Sequence, residues 1–386
     1  MRALLVVPRL PGTGFTGDRV RASIHLDALR EAGFSVVAVG GLPPGAPLPE
    51  LPGVERVVGV EIKRSSALLR LGLAALTGDP LQSAEPAGDW NDALASVAGP
   101  FDLVVASLVR LWPHLRGRLP AAPLVFDYID ALGEAARQAA SDDPALWRRL
   151  YWKADAPRLL RAEADVAAFA AARAATTAFD AAHLPGGTVA IPNGVEIGPA
   201  PSFDARGPVV AFSGRLVYRP NELAVKRLVE RIWPLVKRDV PEAELRIGGA
   251  DAGAALRGLD GGNGVRVVSP VPSMPEFLRA ARVVAAPVTL GTGTPNKVFE
   301  AFEAGCAVVA SPQAAERAAS GGAPAPARIA GSDAAFAESL VALLRANRGA
   351  AEEGARGRAF VEAHADRRRS VEQFAALFRS AAEAKG

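Results

Sequence analysis

Between Val288 and Gly305 the residue types and their spacing come nearest to a chemistry. An apolar strand ends near Pro287 and the loop Gly291-Thr292-Gly293-Thr294 follows. Thr294 is placed to cap a helix, and Pro295 suits the first helical position, where a missing N–H leaves no hydrogen bond unmade. Free backbone N–H groups and the positive dipole end at such a helix start attract a phosphate, and glycines let the main chain approach it. Asn296 and Lys297 open the first turn, Lys297 adding a full positive charge. Glu300 follows three residues later on the same helical face. One face thus offers phosphate neutralisation together with a carboxylate for two adjacent hydroxyls. The plainer reading is a capped helix whose lysine and glutamate form a solvated pair.

A second such place is Ser213-Gly214-Arg215-Leu216, at the end of an apolar run and followed by Tyr218-Arg219-Pro220-Asn221, which opens a helix. Open α/β sheets bind ligands at the carboxyl ends of their strands. Arg215, whose guanidinium suits fork-like phosphate contacts, is therefore placed to converge with the loop before Lys297 on one diphosphate.

The elements that must position these residues follow from the apolar pattern. Short Val-, Ile- and Leu-rich runs alternate with helical patterns along the chain, the sign of parallel sheets with crossover helices. In the first half the strands are expected at Ala3 to Val7, Ser35 to Val39, Asp102 to Ala106, Leu124 to Tyr128, Ala175 to Phe179 and Thr188 to Ile191. A Pro/Gly-rich stretch from Ile197 to Pro208 reads as a linker. Beyond it come strands Val209 to Ser213, Leu245 to Gly248, Val265 to Ser269, Val283 to Pro287 and Ala307 to Ala310, with helices near Asn221 to Lys237, Met274 to Ala281 and Pro295 to Ala304. The expected division is a first domain over 1–196, a linker over 197–207, a second domain over 208–365 and a terminal helix over 366–386 that returns to the first domain.

Composition agrees with two packed domains. The 386 residues are 49% hydrophobic and 22% charged, far from the make-up of a disordered chain. With 44 basic and 41 acidic side chains the net charge is only +3, which argues against a nucleic-acid partner. The single cysteine, Cys306, fits a reducing cytoplasm, reads as a small core residue, and belongs to no Cys/His cluster of zinc-ligand spacing. No apolar run approaches the roughly 20 residues that cross a bilayer.

Gly214-Arg215, Pro220-Asn221, Ile232-Trp233-Pro234, Pro192-Asn193-Gly194-Val195 and the Val288 to Gly305 segment resemble, in order and spacing, the family 4 glycosyltransferases. Within that family the first half is similar to the exosortase-associated sugar transferases, through Gly17-Asp18-Arg19-Val20-Arg21 and through Asp127 with Asp130. The resemblance implies an α/β GT-B fold, two Rossmann-like doubly wound domains facing each other across a cleft. It implies retaining, metal-independent transfer of a sugar from a nucleotide-diphosphate donor, with no cofactor beyond that donor. Carried over residue by residue, Arg215 and Lys297 meet the diphosphate, Glu300 the ribose hydroxyls, and Gly214, Gly291, Thr292, Gly293, Thr294 and Asn296 the remaining donor surface. Two positions depart from the family pattern: its first glutamate is Thr292 here, and its second basic residue is Pro220, with Arg219 alongside. The acceptor, whether a sugar, a lipid-linked glycan or a small molecule, is left open. So is contact with the inner face of a membrane by a cytoplasmic protein. Other readings are an epimerase or hydrolase of nucleotide sugars on the same fold, or a binding protein without catalysis.

In the first half, Pro11 to Arg19 is a glycine-bearing loop in which Gly14 and Gly17 are candidates for donor contact. Asp18 reads as a helix N-cap, with Arg19 and Arg21 as lesser candidates for acceptor or phosphate. Asp127 and Asp130, after the strand at Leu124, are candidate catalytic carboxylates. No Asp-x-Asp triplet occurs, and Glu163-Ala164-Asp165 lies in a helical pattern. His25 reads as a helix residue, while His114 holds a position from which a ligand is conceivable. Trp147 to Lys153 interleaves rings with cations, and helical spacing reads it as a core stripe. Lys63 to Leu73 has the make-up of a membrane-surface helix, but reads first as a packed one.

Overall fold

The apolar runs of the first half form seven strands: β1 (Arg2–Val7), β2 (Ser35–Leu42), β3 (Val54–Glu61), β4 (Leu103–Ser107), β5 (Leu124–Asp127), β6 (Ala172–Ala175) and β7 (Thr188–Ala190). Those of the second half form β8 (Val209–Ser213), β9 (Glu244–Gly248), β10 (Val265–Val268), β11 (Val283–Ala286), β12 (Ala307–Ala310) and β13 (Arg328–Ile329). This is a computed structural model describing residues 1–12, 17–62, 67–86, 88–97, 99–201, 206–290 and 296–384, without the side chains of 67–70. Both sheets are wholly parallel, in the orders β3-β2-β1-β4-β5-β6-β7 and β10-β9-β8-β11-β12-β13. The chain divides into two compact units: Met1–Asn193 with Arg368–Gly386, and Gly194–Arg367. This is the α/β, doubly Rossmann-like GT-B architecture.

Helices cover both faces of a parallel sheet, so its central strands lose all contact with water and need no polar alternation. Ala3 to Val7 on β1 and Val209 to Ser213 on β8 are accordingly buried. The helix Arg367–Glu383 joins the first unit, where Phe374 and Phe378 enter a core shared with Leu5, Ile24 and Val105.

Three local expectations differ from the structure. β3, absent from the expected strands, is an edge strand whose charged Glu55, Arg56 and Glu61 mask its apolar alternation, a common device at exposed edges. β6 ends at Ala175 rather than running to Phe179, because Thr177 caps a helix over Ala178–His183, its side chain accepting from the Asp180 amide. The helix expected from Asn221 to Lys237 passes through a π turn at Leu228–Ile232 before Trp233-Pro234, since Pro234 cannot donate into a regular ladder.

Candidate functional site

In the second unit the strand-end residues converge. β8 delivers Ser213-Gly214-Arg215, β9 delivers Gly248-Gly249, and the helix Asn296–Glu303 presents Lys297 and Glu300. Gly249 must be glycine, because a Cβ there would collide with the Gly214 carbonyl oxygen. Gly214 lies at φ +147, and a Cβ on it would sit 2.8 Å from Asn221 Nδ2 and 3.3 Å from Lys297 Nζ. The backbone thus approaches the ammonium as closely as a side-chain-free residue allows.

Asn221 organises this cluster. It is 8% exposed and follows Pro220 at the start of the helix Arg219–Arg227. Its Nδ2 donates to the Arg215 carbonyl at 2.9 Å, and its Oδ1 accepts from Lys297 Nζ at 2.5 Å. Below the ammonium lies the buried Phe212 ring, with Nζ 4.2 Å from its centroid. Burial pushes the Lys297 ammonium down to about 7 against the pull of Glu300. The same desolvation raises the Glu300 carboxyl, opposed by Lys297.

Both groups are half-buried, and among the described residues no ion pair joins them, so the plainer reading of a solvated Lys–Glu pair fails. Arg215 Nε meets Asp251 Oδ2 at 3.1 Å, both side chains being about half exposed, while its two Nη groups take no hydrogen bond among the described residues. Ser213 Oγ, beside Gly214, is buried without a hydrogen-bond partner. Arg219 forms a pair with Glu222 on its own helix at 3.1 Å. Gly291, Thr292, Gly293, Thr294 and Pro295 lie outside the described residues, as does Gly14; Asn296 opens the described helix and Gly17 opens the helix Gly17–Glu31.

The carboxylates of the first unit divide. Against the expectation that Asp127 meets substrate, it is fully enclosed, and all its acceptor capacity is used inside the fold. Arg21 Nε donates to Oδ2 at 2.5 Å and Nη2 to Oδ1 at 3.2 Å, His25 Nε2 lies 2.8 Å from Oδ2, and the Ile129 amide donates to Oδ1 at 3.0 Å. Burial alone would raise Asp127, but the Arg21 charge and the His25 hydrogen bond outweigh it and hold the carboxyl well below its ordinary range. Burial likewise lowers His25, whose ring stands edge-on to Phe374 at 4.8 Å. Arg21 is therefore a core cation rather than a ligand of acceptor or phosphate. Its Nη1 also donates to the Ile191 carbonyl at 2.6 Å and reaches Asn193 Oδ1 at 3.3 Å.

Asp130 stands apart, half-buried beyond the carboxyl end of β5 and following Ile129, a β-branched residue at φ +66. Burial and the neighbouring Asp180 push it up to about 7. Asp18 does not cap its helix; it lies in the first turn and pairs with Arg9 at 2.8 Å. His114 Nε2 is engaged with the Ser83 carbonyl at 2.8 Å. Cys306 is a buried core thiol pushed up to about 11 by burial. Asn221 is the residue that spacing alone missed: Pro220-Asn221 is visible in the sequence, but its partner Lys297 is 76 positions away.

Residues 207–346 match the family model described as glycosyl transferases group 1. The chain carries a glycosyltransferase domain. The matched span includes Gly214, Arg215, Asn221, Lys297 and Glu300. No curated protein sequence matches the chain. The chain superposes on sucrose-phosphate synthase from Thermosynechococcus elongatus with a TM-score of 0.73 at 17% identity, over 98% of this chain and 99% of that one. For α,α-trehalose 6-phosphate synthase from Burkholderia multivorans the TM-score is 0.65 at 16% identity, over 100% of both chains. For HepE of Anabaena, solved in complex with UDP-glucose, it is 0.64 at 16%, over 98% of this chain and 100% of that one. At these identities the likeness is one of fold.

Proposed function

We propose that this glycosyltransferase is a retaining, metal-independent enzyme of the family 4 type that moves a sugar from a nucleotide-diphosphate donor to an acceptor hydroxyl. Its closer kinship, in this reading, is with the exosortase-associated sugar transferases. The observation that carries the reading is Lys297: a desolvated ammonium held by Asn221 over Phe212, against Gly214, with no carboxylate in an ion pair with it among the described residues. An approaching diphosphate supplies the missing counter-charge and raises the lysine's pKa, so binding and protonation favour each other. Arg215 offers its free Nη fork to the same group, and the two oxygens of Glu300 accept from the two ribose hydroxyls.

As the bond from the anomeric carbon to the phosphate oxygen breaks, the charge gathering on the diphosphate meets cations already in place. The acceptor oxygen bonds to that carbon on the same face, and its proton passes to the departing phosphate oxygen. Asp130 is the first-unit carboxyl we assign to the acceptor, on its partial exposure and the strained residue before it. The structural likeness to HepE makes UDP-glucose the first donor to try.

The test is turnover with a panel of nucleotide sugars. Lys297→Ala and Arg215→Ala are each expected to lower kcat by about a hundredfold, the scale on which a preorganised charge at a developing anion acts. Activity is expected to survive excess EDTA. Unchanged kinetics in both variants would refute the diphosphate assignment, and a requirement for added Mg²⁺ or Mn²⁺ would refute metal independence.

A further inference from the structure

The helix Leu146–Phe169 of the first unit has one face that no described residue of that unit covers. Its inward positions, among them Asp155, Leu159, Glu163 and Val166, are buried. Outward, at spacings of three and four, Leu146, Leu150, Lys153, Pro157, Leu160 and Ala164 are all exposed. Leu146, Trp147 and Leu150 are 68%, 66% and 61% exposed; of the rings expected to form a core stripe, Trp147 faces outward, while Tyr151 and Trp152 are half-buried and Trp152 packs against the core. A second exposed apolar place adjoins it. The helix Ala67–Thr77 leaves Leu73 and Leu76 60% and 87% exposed, and a Cβ on Gly78 just beyond would lie 3.4 Å from Arg161 Nη1 of the long helix.

The charges on this helix are one-sided. Arg148, Arg149, Lys153, Arg158 and Arg161 take part in no ion pair among the described residues. Of the acids, Asp155 and Glu163 face inward, and Asp165 is already engaged by Trp112 Nε1 at 2.7 Å and Arg116 at 3.2 Å. On other exposed surfaces Arg215, Arg348 and Arg368 are paired with carboxylates. Arg148 instead stacks 4.7 Å over the exposed Trp147 ring.

We infer that this face docks on an anionic phospholipid surface. An indole and leucines seat at the boundary of headgroups and acyl chains, while unpaired lysine and arginine heads extend to the phosphates. A nucleic acid would satisfy the cations and the indole, but it leaves Leu73, Leu76, Leu146 and Leu150 without apolar cover, and this decides between the two. The inference does not rest on the donor-site reading.

The experiment is co-sedimentation of the full chain with phosphatidylcholine vesicles, with and without phosphatidylglycerol. Binding is expected to the anionic vesicles only, and to weaken at high salt. Arg148→Gln, Arg149→Gln and Lys153→Gln combined should weaken it about a hundredfold, at about fivefold for each cation near the surface. Trp147→Ser with Leu150→Ser should weaken it at least about tenfold through lost apolar burial. All five side chains are at least partly exposed, and unchanged melting temperatures confirm that the fold persists. Failure to sediment with anionic vesicles, equal sedimentation of the variants, or tighter binding to random DNA or RNA at the same salt would overturn the proposal.

Discussion

Replacing Asn221 with alanine removes two hydrogen bonds, one accepted from Lys297 Nζ at 2.5 Å and one donated to the Arg215 carbonyl at 2.9 Å. A hydrogen bond to a charged group contributes about 1.5–3 kcal/mol. If that geometry serves the donor diphosphate, kcat/KM for the donor should fall roughly 10- to 150-fold on the same scale. Stability should fall by less than about 2 kcal/mol, because the site lies at strand ends rather than in the core. Asn221→Asp makes the test sharper. Burial lowers Lys297 to about 7 in the free enzyme, and on the proposed reading the donor requires its charged form. Donor kcat/KM should therefore be high below that pH and decline as pH rises through it. A carboxylate in place of the Asn221 amide favours the ammonium, so the decline moves to higher pH. It also competes with the phosphate, so the low-pH plateau drops. Initial rates at varied donor concentration across about pH 6–9 resolve both effects. A wild-type profile flat through pH 7, together with an unshifted aspartate variant, would show that Lys297 does not meet the diphosphate.

If Glu300 accepts from both ribose hydroxyls as proposed, Glu300→Gln leaves one acceptor in place of two and should weaken nucleotide binding by about 1.5–3 kcal/mol. Calorimetry with ribo and 2′-deoxy nucleotides checks it: wild type should prefer the ribo form and the variant much less, and equal discrimination refutes the ribose role. Asp127→Asn leaves the buried Arg21 without its counter-charge and should cost about 3–5 kcal/mol in urea unfolding; a variant as stable as wild type would disprove the structural role of this cluster. His25 is lowered by burial from 6.5 despite Asp127, while Arg21 and His25 overcome the opposing burial to lower Asp127 from 3.8. Both folded values lie below the unfolded ones, so the stability they confer is present above those pH values and lost as pH falls past them. Wild-type stability should thus fall below about pH 6.5 and more steeply below about 3.8, and the Asp127→Asn profile should be flatter in the lower window.

The sequence by itself determined the class of the fold and one helical face of the candidate site. Buried parallel strands need apolar runs such as Ala3 to Val7 and Val283 to Ala286, and that signal is local. Lys297 and Glu300 share a helical face through the 3.6-residue period, again within a few positions. Tertiary structure decided what local patterns do not encode. Asp127 has the residue type and strand-end place of a catalytic acid, yet Arg21 and His25, more than a hundred positions earlier, enclose it. Asn221 became the lysine's clamp only when the start of the Arg219–Arg227 helix came beside the Asn296–Glu303 helix. Helical spacing read the rings of Trp147 to Lys153 as one core stripe, yet Trp147 is exposed while Trp152 packs against the core. Which face of a helix is covered depends on the surface packed against it, and that surface is supplied by residues far away in the chain.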